Sequence, residues 1–106
     1  MSTFAVAKLR NVQLGPEIVA YLERIDATLA PFGGRFVVHG GRYERLEGAW
    51  DGDLVVIEFP DRAHARAWYD SPAYRAILEL RTRNSESEVI VIDTVDADHR
   101  ATDVLQ

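Results

Sequence analysis

The sequence contains no cysteine and only one lysine, Lys8, among its 106 residues. Without cysteine the chain can form no disulfide and no thiolate metal site, and this absence fits a reducing cytoplasm. The formal net charge of -5 at pH 7 opposes binding to the phosphate backbone of nucleic acids. We therefore expect a cytoplasmic protein that does not bind DNA or RNA.

Long hydrophobic segments are also missing. The apolar runs Leu54 to Ile57 and Val89 to Ile92 are too short to cross a bilayer, and no secretion signal follows Met1. The sequence has no phosphate-binding loop, no dinucleotide-binding glycine motif and no nucleophile elbow. Its three histidines are far apart in sequence. We expect no membrane partner, no cofactor and no metal site.

Four stretches have the composition and pattern of β-strands. They are Thr3 to Leu9, Arg35 to His39, Leu54 to Phe59 and Glu88 to Val95. The order β-α-β-β-α-β predicts an α+β fold of the ferredoxin-like type, with a four-stranded antiparallel sheet covered by helices on one face. This domain is expected to span residues 1–95, followed by a polar C-terminal tail, 96–106.

The two helical regions have clear start signals. Pro16 suits the first position of a helix, and the apolar residues that follow it have helical spacing. These are Ile18, Leu22, Ile25 and Leu29. The second region begins with Asp61 as a cap for a short helix, and Ser71-Pro72 then starts another helix.

The segment Gly33 to Pro60 is expected to form a bent β-hairpin. Gly40-Gly41 predicts a bulge, beyond which the strand continues toward Glu47. The turn is centred either near Gly48 or on Asp51-Gly52, and this choice leaves the strand register open.

The strands carry apolar residues at successive positions, which point to opposite faces of the sheet. This pattern is unusual for an antiparallel sheet with one face in water. Helices can cover only one face, so the other should be an interface. We expect a homodimer packed through its sheets as a dimeric α/β barrel. The alternative is a monomer in which residues 43–53 or the tail fold over this face.

Glu58 interrupts the third strand and has the phase of Leu54 and Val56, which points it away from the helices. We predict a buried carboxylate with a raised pKa that acts with His39 in acid-base chemistry. An ion pair with an arginine is the alternative for Glu58. One register places His39 across from Glu58, and the other brings Arg42 or Tyr43 closer.

Aromatic residues near the hairpin and the second helical region are candidates for a ligand pocket. The predicted ligand-binding residues are Arg42, Tyr43, Trp50, Trp68 and Tyr69. Simple filling of the core is the alternative role for the aromatic side chains.

Four motifs occur in order: GGRFVVHGG, ERLEGAW, VVIEFP and AWYDSPAY. Together they resemble the family called domain of unknown function 1330, within the dimeric α/β-barrel superfamily, over roughly Phe4 to Val95. The resemblance implies a fold similar to that of cofactor-independent monooxygenases, lactone isomerases and haem-dependent relatives, whose paired sheets enclose a ligand cavity. Family members often carry arginine at the position of His39, so the resemblance assigns no role to this histidine.

These observations predict a homodimer that binds a small organic molecule on the sheet face opposite the helices, with His39, Trp50 and Glu58 near the cavity. Two alternatives stay open. One is a cofactor-independent monooxygenase or isomerase acting on a small organic acid or aromatic, with Glu58 or His39 as general base. The other is a non-catalytic structural dimer.

Overall fold

The helices and strands are described by a computed structural model that covers residues 1–106. Their bounds are β1 (Thr3–Arg10), α1 (Pro16–Leu29), β2 (Arg35–His39), β3 (Asp53–Phe59), α2 (Arg62–Tyr69), α3 (Pro72–Thr82) and β4 (Glu86–Asp93). Short 3-10 turns cover Ala30–Phe32 and, in the C-terminal tail, Ala101–Leu105. None of the helices has the length and apolar character needed to cross a membrane.

The four strands form one antiparallel sheet in the order β2-β3-β1-β4. This arrangement confirms the predicted α+β fold of the ferredoxin-like type. β1 lies in the interior of the sheet, where its apolar residues are shielded on both sides by β3 and β4. The fourth strand begins two residues earlier than predicted, because its ladder with β1 starts at the pair Arg10 and Glu86.

The predicted helix starts are confirmed, and α2 and α3 have side-chain caps. Pro16 occupies the first turn of α1. Asp61 Oδ1 accepts a hydrogen bond from the backbone N–H of His64 at 2.8 Å and caps α2. Ser71 Oγ accepts one from the backbone N–H of Tyr74 at 3.2 Å and caps α3. Each cap satisfies a backbone donor that the first helical turn leaves without a partner.

The buried stripe of α1 differs from the predicted one at a single position. Leu22 is 43% exposed, whereas Tyr21 beside it is buried. The other predicted members of the stripe are buried, and Thr28 joins them. The helix is therefore rotated so that the side bearing Tyr21 faces the sheet and α3.

The hairpin corrects the sequence prediction in two respects. The irregularity in pairing lies between Phe36 and Val38, and β2 ends at His39 instead of continuing toward Glu47. Gly40 donates its N–H to the carbonyl of Leu54 and then turns away with a φ of 64°, a left-handed conformation that glycine adopts readily. Residues 40–52, which we call the β2–β3 connection, form no helix or strand.

The helices cover one face of the sheet, and the core lies between them. Phe59 and Ile77 are fully buried, and Tyr74 and Trp68 are nearly so. The side chains of β1 that point toward this core are Thr3, Ala5, Ala7 and Leu9. We call this side of the sheet the helix-covered face.

The opposite side, the open face, is apolar at its centre, as the sequence predicts. One row crosses all four strands and consists of Val38, Val56, Val6 and Ile90. Ile90 is 55% exposed and Ile92 is 49% exposed. Trp50 of the β2–β3 connection packs on Lys8, with Nζ 4.7 Å from the ring centroid, and on Tyr43. Neither the connection nor the tail covers the isoleucines of β4.

Candidate functional site

A cavity of about 500 Å³ lies between the helix-covered face and the three helices. Its volume is within the range typical of small-molecule sites, about 300–1,000 Å³. The sheet contributes Val55 and Ile57 of β3 together with residues of β1, and α1 contributes Ile18. This location is on the other side of the sheet from the pocket that the sequence predicts.

Small side chains in the interior of the sheet create the space. Ala5 and Ala7 point from β1 toward the helices and line the cavity. Their neighbours in β3 are Ile57 and Val55. The side chains that line the cavity are therefore short along β1 and longer along β3. A leucine at either alanine would project into this space, whereas the methyl group of alanine leaves it open.

Two tyrosines from different helices form a buried polar contact in the wall. Tyr21 of α1 and Tyr74 of α3 join their hydroxyls at 2.7 Å, and both residues line the cavity. Burial, followed by the neighbouring Tyr74, raises the pKa of Tyr21 far above its ordinary value, so its hydroxyl stays protonated. Trp68 packs against Tyr74 and donates its Nε1–H to Thr28 Oγ1 at 3.0 Å.

Arg81 is a buried cation in the same wall. Its residue is 5% exposed, its Nη1 donates to Ser87 Oγ at 2.6 Å, and its Cζ lies 5.9 Å from the ring centroid of Tyr21. It forms no ion pair with a carboxylate. Burial opposes the charge, but the nearby Tyr74 and Tyr21 outweigh this effect and raise the pKa of Arg81.

His39 and Phe36 line the cavity from β2. Their rings are stacked, with centroids 4.4 Å apart and planes inclined by 11°. The irregularity in β2 explains this geometry, because it places residues 36 and 39 on the same side of the strand. His39 is exposed, so its ring lies where the cavity meets solvent.

The predicted ligand-binding residues fall into two groups. Trp68 and Tyr69 of α2 line the cavity. Arg42, Tyr43 and Trp50 lie in the β2–β3 connection, outside the cavity, where all three are exposed. The ligand-binding role of both groups stays a prediction.

Glu58 lies on the open face, as strand alternation predicts, and therefore on the other side of the sheet from the cavity. Its Oε1 accepts a hydrogen bond from Arg35 Nη2 at 2.6 Å, and its Oε2 accepts one from Ser2 Oγ at 2.8 Å. The hydrogen bond from Ser2 outweighs partial burial and, together with the charge of Arg35, lowers the pKa of Glu58. The predicted rise was wrong, and the alternative of an ion pair with an arginine is confirmed.

The strand register explains why Glu58 has this partner. Arg35 is its direct neighbour in β2, and His39 lies opposite Val55. Both proposed registers were therefore wrong, since each assumed a longer second strand. Arg42 lies beyond the end of that strand.

Neither Tyr21 nor Arg81 is among the site residues predicted from the sequence, which allowed anion binding by Arg81 but favoured a solvated helical face for it. A signal was present for each, because both share a helical face with residues of the apolar stripe: Tyr21 lies four residues before Ile25, and Arg81 four after Ile77. A charged residue on a buried stripe is rare enough to mark a site. The structure contains no group of three or more histidines and carboxylates arranged to hold a metal ion.

Solved structures with the same fold include proteins from several bacteria. The RPA0582 protein of Rhodopseudomonas palustris, in methylated form, aligns with a TM-score of 0.70 and 18% identity, over 92% of this chain and 84% of that one. A dimeric ferredoxin-like protein of unknown function from Jannaschia sp. CCS1 has a TM-score of 0.61 and 11% identity, over 89% and 100%.

A third similar structure is that of SnoaB, a cofactor-independent oxygenase from Streptomyces nogalater. It aligns with a TM-score of 0.60 and 17% identity, over 94% of this chain and 100% of that one. At such identities the likeness extends to the fold alone. No curated protein matches the sequence. The family model for a domain of unknown function, DUF1330, matches residues 2–95, and the chain therefore belongs to the DUF1330 family.

Proposed function

We propose that this protein binds a small organic molecule in the cavity between the helix-covered face and the helices. The observation that carries the proposal is the cavity itself, about 500 Å³ in volume and lined by 15 hydrophobic residues out of 22. A closely packed domain rarely leaves so large an apolar space between its sheet and helices, because space that side chains leave unfilled forfeits contacts between atoms.

Several residues around the cavity would contact the ligand. Phe36, Val55 and Ile57 offer apolar surface to the body of the ligand. His39, Trp68 and Tyr69 remain in the proposed site, with His39 at the solvent boundary. Glu58 has no part in it, because the sheet separates its carboxylate from the cavity.

We further propose that the chain works as a homodimer joined through the open faces. The exposed isoleucines of β4 support this, since a contiguous apolar patch on a sheet usually marks an interface. The similar proteins from Jannaschia sp. CCS1 and Thermobifida fusca are described as dimeric. Because the cavity lies on the opposite side of the sheet, each subunit would carry a complete site.

The cavity proposal is tested by filling the space. Ala7→Leu adds apolar volume inside the cavity, and Ala76→Leu adds the same volume on the exposed side of α3 as a control. The wild type and both variants are screened with small aromatic and aliphatic compounds, neutral and acidic, by thermal unfolding. Compounds that bind the native protein raise its Tm by mass action.

We expect these compounds to raise the Tm of the wild type and of Ala76→Leu, but not that of Ala7→Leu. The folded far-ultraviolet spectrum of Ala7→Leu separates a blocked cavity from a failure to fold. An equal rise in Tm for Ala7→Leu would place the binding site elsewhere. No rise with any compound would remove the proposal.

Catalysis by a cofactor-independent oxygenase or isomerase is a second proposal, supported by the fold shared with SnoaB and by the titratable His39 at the cavity. Its test is incubation of each bound compound with the protein in air and in the absence of oxygen. A new product by mass spectrometry that is lost in His39→Phe supports turnover. Recovery of the unchanged compound in every case supports binding alone.

A further inference from the structure

Arg81 is a buried charge that the fold itself does not neutralise. The arginines that form ion pairs, such as Arg10 with Glu88 and Arg83 with Glu17, do so at the surface. Arg81 is 5% exposed and has no such partner. Buried charges are normally paired or bound to a ligand, because removing a charge from water is costly.

The hydrogen bonds around Arg81 leave donors unused. A guanidinium carries five N–H groups. The acceptors within reach of Arg81 are Ser87 Oγ at 2.6 Å and the hydroxyl oxygens of Tyr21 and Tyr74, so N–H groups remain for a ligand. The nearby tyrosine pair is also short of acceptors. Tyr21 and Tyr74 share one hydrogen bond at 2.7 Å, which uses one of their two hydroxyl protons, so the second proton is free to be donated elsewhere.

The other polar side chains that line the cavity form no ion pair or hydrogen bond with the Arg81 guanidinium; Ser85 Oγ donates to the Arg81 backbone carbonyl, and Asn11 bonds Glu86. Asp53 and His39 also line the cavity, but Asp53 is exposed at the start of β3 and forms no ion pair with Arg81. Trp68 already gives its N–H to Thr28. The buried wall is therefore rich in donors and positively charged, although the whole chain has a net charge of -5.

We propose that the molecule bound in this cavity is an organic acid, held as its anion against Arg81 and the free tyrosine hydroxyl. Its apolar body lies along Val55 and Ile57. This inference rests on the proposed function and adds the chemical class of the ligand. Charge-assisted hydrogen bonds are stronger than neutral ones, so the acid is bound more tightly than a neutral compound of the same shape.

The test compares acids with their amides, which have nearly the same shape but no charge. The probes are 2-naphthoate with 2-naphthamide, and cyclohexanecarboxylate with cyclohexanecarboxamide, measured by calorimetry. Arg81→Met removes the charge and keeps an apolar side chain, a change that proteins often tolerate at buried charged positions. Arg81→Lys keeps the charge. Arg24→Met, on the exposed side of α1, is the matched control.

We expect the wild type and Arg24→Met to bind the acids about tenfold or more tightly than the amides. Arg81→Met should lose this preference while keeping its affinity for the amides, and Arg81→Lys should retain part of it. A wild type that binds amides as tightly as acids overturns this inference and leaves the proposed function standing. If these probes and the earlier panel all fail to bind, the proposed function falls, and the inference falls with it.

Discussion

The carboxylate of Glu58 makes the free energy of unfolding of the chain depend on pH. Its pKa is lowered in the folded chain by Ser2 and Arg35, so the ionised form contributes stability above the unfolded-state pKa, and this contribution is lost as the pH falls through the folded-state pKa. We predict that Glu58→Gln is less stable than the wild type at neutral pH and that the difference becomes smaller at about pH 3, below the ordinary pKa of glutamate. Urea unfolding at both pH values measures the effect.

The control for this prediction is Glu23→Gln, which removes an exposed carboxylate of α1 that has no ion pair. Its stability should follow that of the wild type at both pH values. A Glu58→Gln variant with the same stability deficit at low pH as at neutral pH would contradict the assignment, because the loss would then come from packing instead of charge.

For the single residue Glu58, the sequence predicted the side of the sheet on which it lies but not the residue with which it pairs. Strand alternation is a local property and was read correctly. The partner depends on the register of two strands separated by the β2–β3 connection, and a bulge within β2 shifted that register. Neither the strand register nor the bulge can be deduced from the residues next to Glu58 in the sequence.

Among the structural elements, the β2–β3 connection offers a matched pair of glycines. Gly48 and Gly52 both have positive φ, but a Cβ at Gly48 would meet nothing, whereas one at Gly52 would lie 2.4 Å from the carbonyl oxygen of Leu9. We predict that Gly48→Ala costs about 1 kcal/mol, the backbone term alone. Gly52→Ala should cost about 1–3 kcal/mol more, because backbone atoms must move.

Both costs are measured by urea unfolding of the two variants and the wild type. Equal losses for the two alanine variants would mean that the connection relaxes away from β1. The contact at Leu9 would then have no influence on the position of the hairpin.

The start of α3 depends on Ser71, whose hydroxyl accepts from the Tyr74 N–H and donates to the carbonyl of Trp68 at 2.8 Å. We predict that Ser71→Ala lowers the free energy of unfolding by about 1–2 kcal/mol. Ser71→Thr, which keeps the hydroxyl, is the control. A loss below about 0.3 kcal/mol in chemical unfolding would show that water replaces the cap.

The helices were the best predicted elements because their signals are local. Proline and capping residues act within one turn, and the structure confirms each of the three starts. The end of β2 was mispredicted because the glycine pair after it permits either a bulge or an exit from the sheet. The outcome depends on the hydrogen bond from Gly40 to Leu54 of β3, a contact between residues far apart in the sequence.

For the whole molecule, the open face determines the expected assembly. We predict that the wild type sediments as a dimer at micromolar concentration and that Ile90→Lys, which places a charge at the exposed β4 end of the apolar row, sediments as a monomer. Val19→Lys is the control, because Val19 is 49% exposed on α1, away from the open face. A monomeric wild type, or a dimeric Ile90→Lys, would contradict assembly through this face.

The sequence predicted this open face because apolar residues in both strand phases can be counted directly. It did not predict the cavity, which depends on how far α1 and α3 stand above two alanines of β1. Alanine is common both in tightly packed cores and beside cavities. Only the heights of the surrounding side chains and helices distinguish the two situations.

The two tryptophans lie on opposite sides of the sheet, and this gives the molecule two separate fluorescent reporters. Trp68 is 3% exposed in the cavity wall, whereas Trp50 is 42% exposed beside Lys8 at the edge of the open face. Indole emission responds to the polarity around the ring. In Trp50→Phe the remaining emission would therefore report a ligand in the proposed cavity site, and the emission of Trp50 in the wild type would report the proposed contact between two subunits.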